Sequence, residues 1–407
     1  MELPQAASQC TDAAQSTPGI LEAGIGSLVA PQNHVDSVYL HVPFCRHRCH
    51  YCDFFTLAGR NDEIPRYVDR VVDELCVSAS RFLKPVQTVF FGGGTPTLLP
   101  PEQLRRLVQA FHDSVPMAQG VEWTVEANPE TVTAEHASVL AAGGVNRISL
   151  GAQSFDVELL RTLERRHDPS NVLRSIEHVR GAGIDRISVD LIYAIPGQTL
   201  EQWSTDLQRA IDLGVTHLSC YGLVYEHGTP MTRRRDQGHI APIDETLESE
   251  MHLMAREVLA GSGFQQYEIS NWSHPNQQCM HNLVYWRNGN WWPVGPGASG
   301  HIDGVRWKNE ARLGTYVSGA GLPAATHVEQ VDADAQVGEA FMMGLRLMQG
   351  MSAERVESLL ACGRDGERRR RMIELHAGNG LLEMDSAGLR LTEAGILLSD
   401  TVFADLL

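Results

Sequence analysis

The chain has 407 residues, a formal net charge of −17 at pH 7 and 43% hydrophobic residues. This length is enough for one large domain, or for a large domain with a smaller one. The negative charge argues against non-specific nucleic-acid binding, which depends on basic surface. Since no segment approaches the roughly 20 apolar residues of a membrane-spanning helix, we expect a globular protein that neither binds nucleic acid nor inserts into a membrane.

The N-terminal segment, residues 1–35, has no clear hydrophobic period and many small residues, so we predict a mobile tail. It lacks a basic stretch followed by an apolar core, which argues against a secretory signal. Of the eight cysteines only three cluster. That pattern is typical of a metal site in a reduced compartment and not of a disulfide framework, and we therefore expect a cytoplasmic protein.

From residue 36 to residue 235, apolar β-branched runs alternate with segments of helical spacing. This alternation implies a parallel sheet with right-handed crossovers, and the nearly continuous apolar runs predict strands that are buried on both faces. Six such units are three-quarters of a TIM barrel, so the predicted fold class is α/β, a partial (β/α)6 barrel with a lateral opening. The predicted strands are Ser37–Val42, Gln87–Phe91, Val121–Glu126, Arg147–Gly151, Arg186–Tyr193 and Thr216–Leu223. The predicted helices are Ile64–Phe82, Pro101–Ser114, Ala134–Ala142, Ser170–Ala182 and Leu200–Leu213.

The three clustered cysteines, Cys45, Cys49 and Cys52, follow the first predicted strand with the spacing Cys-x3-Cys-x2-Cys. Four-iron clusters usually take four thiolates. Three thiolates would leave one iron open, able to bind a small chelating molecule and pass it an electron. The alternative is a zinc site completed by His47 or His50, but the chain offers no second cysteine pair. The spacing favours an iron–sulfur cluster.

Other distinctive residues also follow or end predicted strands, which is where chemistry collects in β/α barrels. The run Gly92–Pro96 (GGGTP) follows the second strand, and its glycines would let a ligand approach the backbone. Glu126 ends the third strand, Gln153 follows the fourth and Asp190 lies in the fifth. Glu126 could instead cap the next helix, and Gln153, Asp190 and the nearby Arg165 are each of a kind more often found at a surface or a helix cap.

After about residue 235 the pattern changes. A helix is predicted over Ile243–Ala260, and five of the seven tryptophans then fall in the Gly-rich stretch Phe264–Trp307. The last part predicts helices, a hairpin that turns at Ser386–Gly388, and a final helix, like a winged-helix cap that serves packing. The predicted domains are a tail over 1–35, a β/α core over 36–235, an aromatic-rich extension over 236–330 and a C-terminal cap over 331–407.

The motifs YLHVPFCRHRCHYC, FFGGGTPT, VEANPE, GAQSF, LERRH and SVDLIYAIPGQT together resemble the radical SAM family of HemN, an oxygen-independent coproporphyrinogen III oxidase, and HemW, a heme chaperone. The resemblance covers residues 37–407. It implies a radical SAM barrel with a C-terminal α+β (winged-helix-like) extension. It also implies a [4Fe-4S] cluster on the three cysteines that cleaves S-adenosylmethionine (SAM) to a 5′-deoxyadenosyl radical. The SAM-binding residues that it implies are Tyr39, Tyr51, Gly93, Gly94, Thr95, Glu126, Gln153, Arg165, Asp190 and Val224.

Two features favour the chaperone branch of this family. The oxidase pattern has an additional cysteine two residues after the third, where this chain has Phe54. The segment HNLVYW, residues 281–286, resembles the HNxxYW motif proposed to handle heme in HemW. Its His281, Tyr285 and Trp286 are candidates for heme binding, since imidazole ligates iron and aromatic faces cover a flat macrocycle.

An alternative for this segment is that His281 and Asn282 are core polar residues, with the two aromatic side chains packed inside. Cys279 and His301 are other candidate heme ligands. The run Arg368–Arg371 could meet heme propionates, although a solvated helix face is the plainer interpretation.

The predicted function is a HemW-like heme chaperone that binds heme beside a SAM-ligated cluster and transfers it to an acceptor protein. SAM cleavage could be retained as a control step. The alternatives are the oxidative decarboxylation of coproporphyrinogen III propionates and radical SAM chemistry on another substrate. The core shared by the family does not separate these enzymes from a chaperone.

Overall fold

The computed structural model describes residue 29 and residues 34–407, so the predicted tail lies almost wholly outside the described residues. The chain divides into two compact units, which cover residues 34–328 and residues 329–407 of the described part. Within that part, no helix combines the length and the apolar character needed to cross a bilayer. The finer division into core, extension and cap stays a prediction.

Parallel strands that pair in chain order form the centre of the first unit. They are β1 (Ser37–Val42), β2 (Val86–Gly93), β3 (Met117–Ala127), β4 (Arg147–Gln153), β5 (Arg186–Tyr193) and β6 (His217–Gly222). The helices between them are α1 (Ile64–Ser78), α2 (Pro101–Ser114), α3 (Ala134–Ala142), α4 (Val157–Thr162), α5 (Ser170–Gly181) and α6 (Leu200–Asp212). The predicted α/β class and the (β/α)6 repeat are confirmed.

Local sequence determines where these helices begin and end. Thr199 and Gln202 form a capping box at the start of α6, in which each side chain accepts a hydrogen bond from the other residue's backbone N–H, at 3.2 and 3.0 Å. Gly214 follows α6 with a φ of +64°, a conformation that favours glycine. The chain therefore turns back toward the sheet at the residue where the sequence predicts a helix stop.

The strands are buried on both faces, as predicted, but only one of these faces is apolar. One face packs on the helices: Phe91 lies 4.7 Å from Phe111 of α2 and 5.5 Å from Trp123, between ring centroids. The opposite face, to which every second side chain of a strand points, is polar, and its residues line the interior of the partial barrel, which we call the polar chamber. Its buried members include Ser37, Thr88, Glu122, Thr124, Arg147, Ser188, His217 and Ser219.

The segment predicted as an extension adds strands to both sides of this sheet. Beside β6 lie the antiparallel strands β7 (Gln265–Glu268) and β8 (Asn271–Ser273). Beside β1 lies a further parallel strand, β9 (Trp291–Val294), followed by β10 (Ser299–Ile302), β11 (Val305–Asn309) and β12 (Ala325–Gln330). The helices of this segment are α7 (Pro230–Asp236), α8 (Glu245–Gly261), α9 (Met280–Trp286) and α10 (Leu313–Ser318).

A buried carboxylate ties the added strands to the core. Glu74 of α1 accepts hydrogen bonds from the Tyr316 hydroxyl at 2.5 Å and from the Gly295 N–H at 3.2 Å. Burial raises the pKa of Glu74 to about 7, and these hydrogen bonds and the charge of Arg70 offset part of the effect. The loop after β9 is thereby held against the first helix of the barrel.

The second unit has the predicted order of helices and a hairpin, but it ends in two short helices where the sequence predicts one. It contains α11 (Ala333–Leu345), α12 (Ala353–Cys362), α13 (Gly366–Gly378), β13 (Leu382–Met384), β14 (Leu389–Leu391), α14 (Glu393–Leu397) and α15 (Ser399–Leu406). Arg369 is fully buried, where it donates to the Asp334 carboxylate at 2.8 Å and to the Leu406 carbonyl at 2.9 Å. Arg370 pairs with Glu357 at 2.8 Å. These two arginines serve the packing of this unit.

Candidate functional site

The three cysteines lie on the loop that follows β1, at the C-terminal edge of the parallel strands. A two-residue strand, Phe44–Cys45, pairs with Leu57–Ala58 and closes the loop. Inside it, the Cys52 N–H donates to the Cys49 carbonyl at 3.3 Å. All three are free thiols; Cys49 is buried, and Cys45 and Cys52 are partly exposed. The three sulfur atoms therefore belong to one loop of the chain.

Polar groups from other elements approach two of these sulfur atoms. The Thr95 hydroxyl donates to Cys45 Sγ at 3.7 Å, and Arg165 Nη1 donates to Cys49 Sγ at 3.7 Å. His47 Nε2 lies 3.9 Å from Cys49 Sγ. Donors of this kind stabilise thiolate over thiol and influence the potential of a cluster held there.

Ionisation differs among the thiols. Burial raises the pKa of Cys45 to about 11 and that of Cys52 to about 11. Burial also opposes ionisation of Cys49, but the hydrogen bond from His47 and the charge of Arg165 outweigh it and lower the pKa of this thiol. Metal binding requires thiolates and would release protons from the other two sulfur atoms.

The chemistry of this loop fits a three-thiolate iron–sulfur cluster. Among the described residues, no group of three or more His, Cys, Asp or Glu side chains forms a ready-made metal cage. The loop nevertheless offers three thiols close enough for the charges of Cys45 and Cys49 to raise the pKa of Cys52. The guanidinium of Arg165 lies beside Cys49. Zinc would need a further ligand from the loop: His47 Nε2 is hydrogen-bonded to the Glu164 carbonyl, whereas His50 Nδ1 is buried without a hydrogen-bond partner among the described residues.

The glycine run lies beside the cysteine loop. Gly93 has a φ of +100°, and a Cβ there would lie 2.4 Å from the ring of His41, so this position requires glycine. The Gly93 N–H donates to Glu126 Oε2 at 3.0 Å. The Gly94 N–H donates to the Val42 carbonyl and the Thr95 N–H to the Phe44 carbonyl, both at 2.8 Å. Because these amides are engaged, the run can offer a ligand carbonyl oxygens but not free N–H groups.

Two partly buried carboxylates, Glu126 and Asp190, face the polar chamber. Burial raises the pKa of Glu126 to about 7, and the negative charge of Asp190 adds to the effect. Burial also raises the pKa of Asp190, which accepts hydrogen bonds from the Ser149 hydroxyl at 3.0 Å and the Ser188 hydroxyl at 3.4 Å. Sequence reasoning missed these serines, although their polar alternation along β4 and β5 was a usable signal. The carboxylates of Glu126 and Asp190 can accept hydrogen bonds from hydroxyl groups of a ligand.

The remaining residues that the resemblance implies for SAM are more dispersed. Arg165 Nη2 donates to the Gly151 carbonyl, and Gln153, with a φ of +68°, ends the same strand after a bulge. The Tyr39 hydroxyl hydrogen-bonds His41 Nδ1 at 3.1 Å. Two others differ in exposure: Tyr51 packs on an apolar cluster, and Val224 is 61% exposed on the loop after β6. The structure thus brings Arg165 to the cysteines and Glu126 to the glycine run, whereas Val224 lies open to solvent.

The HNxxYW segment forms α9 and closes the polar chamber at the N-terminal ends of the strands. His281 is buried; its Nδ1 hydrogen-bonds the Thr88 hydroxyl at 2.7 Å and its Nε2 hydrogen-bonds the Tyr285 hydroxyl at 2.9 Å. Its ring stacks on Phe90 with 5.0 Å between centroids. Burial lowers the pKa of His281 to about 3, so the imidazole is neutral. This geometry favours the interpretation of His281 as a core polar residue.

The other two candidate heme ligands are also buried and engaged. The Cys279 thiol donates to Glu122 Oε1 at 3.6 Å. His301 hydrogen-bonds the Gly289 carbonyl through Nδ1 at 2.8 Å and accepts from the Gly304 N–H through Nε2 at 3.2 Å. Neither side chain has a lone pair directed at solvent in this arrangement.

Known proteins show strong similarity to this chain. The model of the radical SAM superfamily matches residues 39–210, and that of the HemN C-terminal domain matches residues 331–398. The heme chaperone HemW of Mycobacterium tuberculosis is 38% identical over 379 residues, which cover 91% of this chain and 94% of the relative. The chain belongs to the HemW family of radical SAM proteins. The HemW of Lactococcus lactis is 33% identical and aligns with 90% of this chain and 96% of its own length.

Among solved structures, the chain resembles coproporphyrinogen III oxidase (HemN) from Escherichia coli, with a TM-score of 0.79 over 93% of this chain and 91% of that one. The sequence identity is 21%, so this likeness establishes the fold alone. Radical SAM membership implies SAM and a [4Fe-4S] cluster as cofactors. The Cys-x3-Cys-x2-Cys loop is the part of this HemW-family chain whose chemistry fits the cluster.

Proposed function

We propose that this protein is a heme chaperone that carries a [4Fe-4S] cluster on Cys45, Cys49 and Cys52, binds SAM at the open iron and passes heme to an acceptor protein. The observation that carries the proposal is its 33–38% identity, over nine-tenths of the chain, to proteins named heme chaperones. Phe54 supports it. Two residues after Cys52, where the oxidase pattern has a further cysteine, this side chain is apolar and 58% exposed.

The polar chamber offers SAM a matching set of groups. Glu126 and Asp190 would accept hydrogen bonds from the ribose hydroxyls of SAM. Carbonyl oxygens of the glycine run would accept hydrogen bonds from the ammonium group of its methionine end. Arg165, beside Cys49, would face the carboxylate end and the cluster together. A cluster bound at the cysteines supplies an electron to SAM. The polar lining keeps SAM oriented toward that electron source.

The setting that we propose is the reducing cytoplasm. The seven cysteines among the described residues are free thiols, as a cluster-binding protein in such a compartment requires. The heme acceptor is a protein, and the net charge of −17 speaks against nucleic acid as a partner.

Heme binding and porphyrinogen turnover separate the chaperone from the oxidase. We expect the anaerobically reconstituted protein to bind hemin with a defined Soret band. We also expect it to form no protoporphyrinogen from coproporphyrinogen III when SAM and a reductant are present. The preparation must first be shown to hold its cluster and to bind SAM. Sustained turnover would identify an oxidase and overturn the proposal despite Phe54, and so would the absence of hemin binding.

Replacing the histidine of the HNxxYW segment tests whether heme binds at α9. We expect His281→Ala to lower the free energy of unfolding by about 2–4 kcal/mol, because it removes two buried hydrogen bonds and leaves a cavity. The Soret band of the folded fraction should stay unchanged. Urea denaturation and hemin titration measure the two effects, with Tyr285→Phe as a matched control that removes one hydroxyl and should cost only about 1 kcal/mol. A changed Soret band at unchanged stability would restore His281 as a ligand.

A further inference from the structure

A row of aromatic rings crosses the polar chamber, from the glycine run to a partly exposed tryptophan. It consists of Tyr39 of β1, Phe90 of β2, His281 and Tyr285 of α9, and Trp291 of β9. The centroids of successive rings are 6.1, 5.0, 5.1 and 4.7 Å apart. Aromatic rings at such separations are packed against one another, so an electron can pass along the row in short steps.

The inner end of this row lies against the glycine run. A Cβ at Gly92 would lie 2.8 Å from the Phe90 ring and 2.9 Å from Glu126 Oε2, so these two side chains meet there. Burial and the negative charge of Glu126 raise the pKa of Tyr39, which places this hydroxyl near the same carboxylate. Since Glu126 and the glycine run would bind SAM, the row begins at the proposed SAM site.

Tyr39 donates its phenolic hydrogen to a neutral imidazole. His41 Nε2 lies 2.8 Å from the Phe55 carbonyl, which can only accept, so this nitrogen carries the hydrogen of the ring. His41 Nδ1 therefore has the free lone pair and accepts from the Tyr39 hydroxyl at 3.1 Å. Burial lowers the pKa of His41 to about 4, which keeps the ring neutral.

Tyr285 has the same arrangement. Thr88 donates its hydroxyl hydrogen to Ser37 at 2.7 Å, and it therefore accepts from His281 Nδ1, also at 2.7 Å. The lone pair of His281 Nε2 is then left for the Tyr285 hydroxyl, at 2.9 Å. A phenol that loses an electron also loses its proton, which a neutral imidazole at this distance can accept. Tyr285 is therefore placed to be oxidised reversibly.

The outer end of the row is Trp291. Its ring packs edge to face on Tyr285, and its Nε1 donates to the Ser299 carbonyl at 2.8 Å. Indole and phenol rings can lose and regain an electron, whereas the benzene ring of phenylalanine cannot do so under the same conditions. The partly exposed Trp291 can thus pass an electron from an external reductant to Tyr285.

A heme chaperone has no substrate that gives up a hydrogen atom. In the oxidase alternative, the 5′-deoxyadenosyl radical takes that atom from a propionate side chain of the substrate. Without such a substrate, a radical formed in the SAM site would attack SAM or the protein. A phenolic O–H bond is weaker than the C–H bonds of 5′-deoxyadenosine, so a tyrosine beside the site can supply the atom.

We propose that Tyr39 is the hydrogen-atom donor that quenches the 5′-deoxyadenosyl radical in the heme-free protein, and that Tyr285 and Trp291 return an electron to it. This inference rests on the proposed function, in which the cluster passes an electron to SAM. The O–H bond of Tyr39 breaks, a C–H bond of 5′-deoxyadenosine forms, and the unpaired electron stays on Tyr39. Tyr285 then gives Tyr39 an electron while its own proton moves to His281 Nε2, and the Tyr39 phenolate takes a proton from solvent. An external reductant such as a thiol restores Tyr285 through Trp291, and the proton returns from His281.

The test is turnover in heavy water. The full-length, heme-free, cluster-loaded protein is incubated anaerobically with saturating SAM and dithionite, and the 5′-deoxyadenosine is analysed by mass spectrometry. Because phenolic hydrogens exchange with solvent, we expect the wild type to form product with one added deuterium. Tyr39→Phe keeps the ring and removes the hydroxyl, so it should form labelled product at least about tenfold more slowly. Tyr193→Phe is the matched control, since Tyr193 lies outside the row with its hydroxyl 3.4 Å from His252 Nδ1; it should behave like the wild type.

The electron route is tested by freeze-quench EPR of the same reaction. We expect the wild type to show a tyrosyl radical, assigned by the change of its spectrum in protein that contains ring-deuterated tyrosine. Tyr285→Phe and Trp291→Phe should still label the product of the first turnover. Their radical should last at least about tenfold longer, because Tyr39 is restored slowly. Equal lifetimes in the wild type and both variants would overturn the route through Tyr285 and Trp291.

The outcomes separate this inference from the function on which it rests. The inference fails if the product carries no deuterium, if Tyr39→Phe labels it as fast as the wild type, or if the wild type forms no tyrosyl radical. It also fails if protein that holds its cluster and binds SAM forms no 5′-deoxyadenosine. In each of these cases hemin binding would still support the chaperone. A wild type that holds no cluster or binds no SAM would overturn the proposed function, and this inference with it.

Discussion

Replacing any one of Cys45, Cys49 and Cys52 with alanine is expected to abolish the brown absorbance of the reconstituted protein and its bound iron. Each thiolate would hold one iron of the cluster, so the loss of one cysteine leaves only two thiolates for three irons. Anaerobic reconstitution followed by visible absorption, iron analysis and EPR measures the effect. Because all three sulfur atoms lie on one loop, we expect the three variants to behave alike.

The control for this series is Cys76→Ala. Cys76 is an exposed free thiol on α1, away from the cysteine loop, so its replacement should leave the brown absorbance and the iron content unchanged. Circular dichroism should find the Cys45 and Cys52 variants folded, since these side chains are partly exposed, and it checks that the variant of the buried Cys49 keeps its fold. Full iron loading in all three loop variants would contradict the assignment of the cluster.

Elements with strong local signals could be predicted from the sequence. The bounds of β1 and β5, Ser37–Val42 and Arg186–Tyr193, agree with the prediction residue by residue, as do those of α2 and α3. These segments have clear hydrophobic periods and end at residues that favour turns, so local sequence alone specifies them. The cysteine loop and the glycine run were likewise visible, because each is a contiguous motif.

Other features depend on residues that are distant along the chain. The strand β9 was missed because it is only four residues long and contains Pro293, which lacks an N–H and argues against a central strand. The polar chamber was missed because its buried groups are paired across long separations. One example is Arg186, which pairs at 2.8 Å with Glu122, and another is Thr88, which bonds His281 of α9. A single sequence does not reveal such partners.

For the same reason, the sequence leaves two interpretations of the HNxxYW segment open. Its histidine and aromatic residues are consistent with both heme ligation and core packing when read as a string. The positions of Thr88, Phe90 and Tyr285 around His281 favour core packing, since these residues engage both ring nitrogens and one ring face.

Gly94→Ala is expected to weaken SAM binding at least about tenfold, or about 1.4 kcal/mol, while iron content stays near normal. A Cβ at this position would lie 2.7 Å from the carbonyl oxygens of Phe44 and Val42. Both are backbone atoms and cannot rotate away, so the glycine run has to shift and its carbonyls lose their alignment. The added Cβ would also lie 3.0 Å from the Pro43 carbonyl carbon, so iron content has to be measured in the same preparation. The hydrogen bond from the Leu57 N–H to the Pro43 carbonyl, at 2.7 Å, favours movement of the glycine run over movement of the cysteine loop.

Equilibrium dialysis with labelled SAM, on reconstituted protein of known iron content, measures the loss for Gly94→Ala. The matched control is Gly181→Ala at the end of α5, where a Cβ would meet no heavy atom within 4 Å; it should bind SAM normally. Normal SAM affinity in Gly94→Ala would mean that the run is not part of the SAM site. Loss of the cluster together with SAM binding would mean that Gly94 supports the cysteine loop, through the contact of Thr95 with Cys45. Its effect on SAM binding would then be indirect. Retained iron with weakened SAM binding is the outcome that assigns the backbone of this run to the ligand.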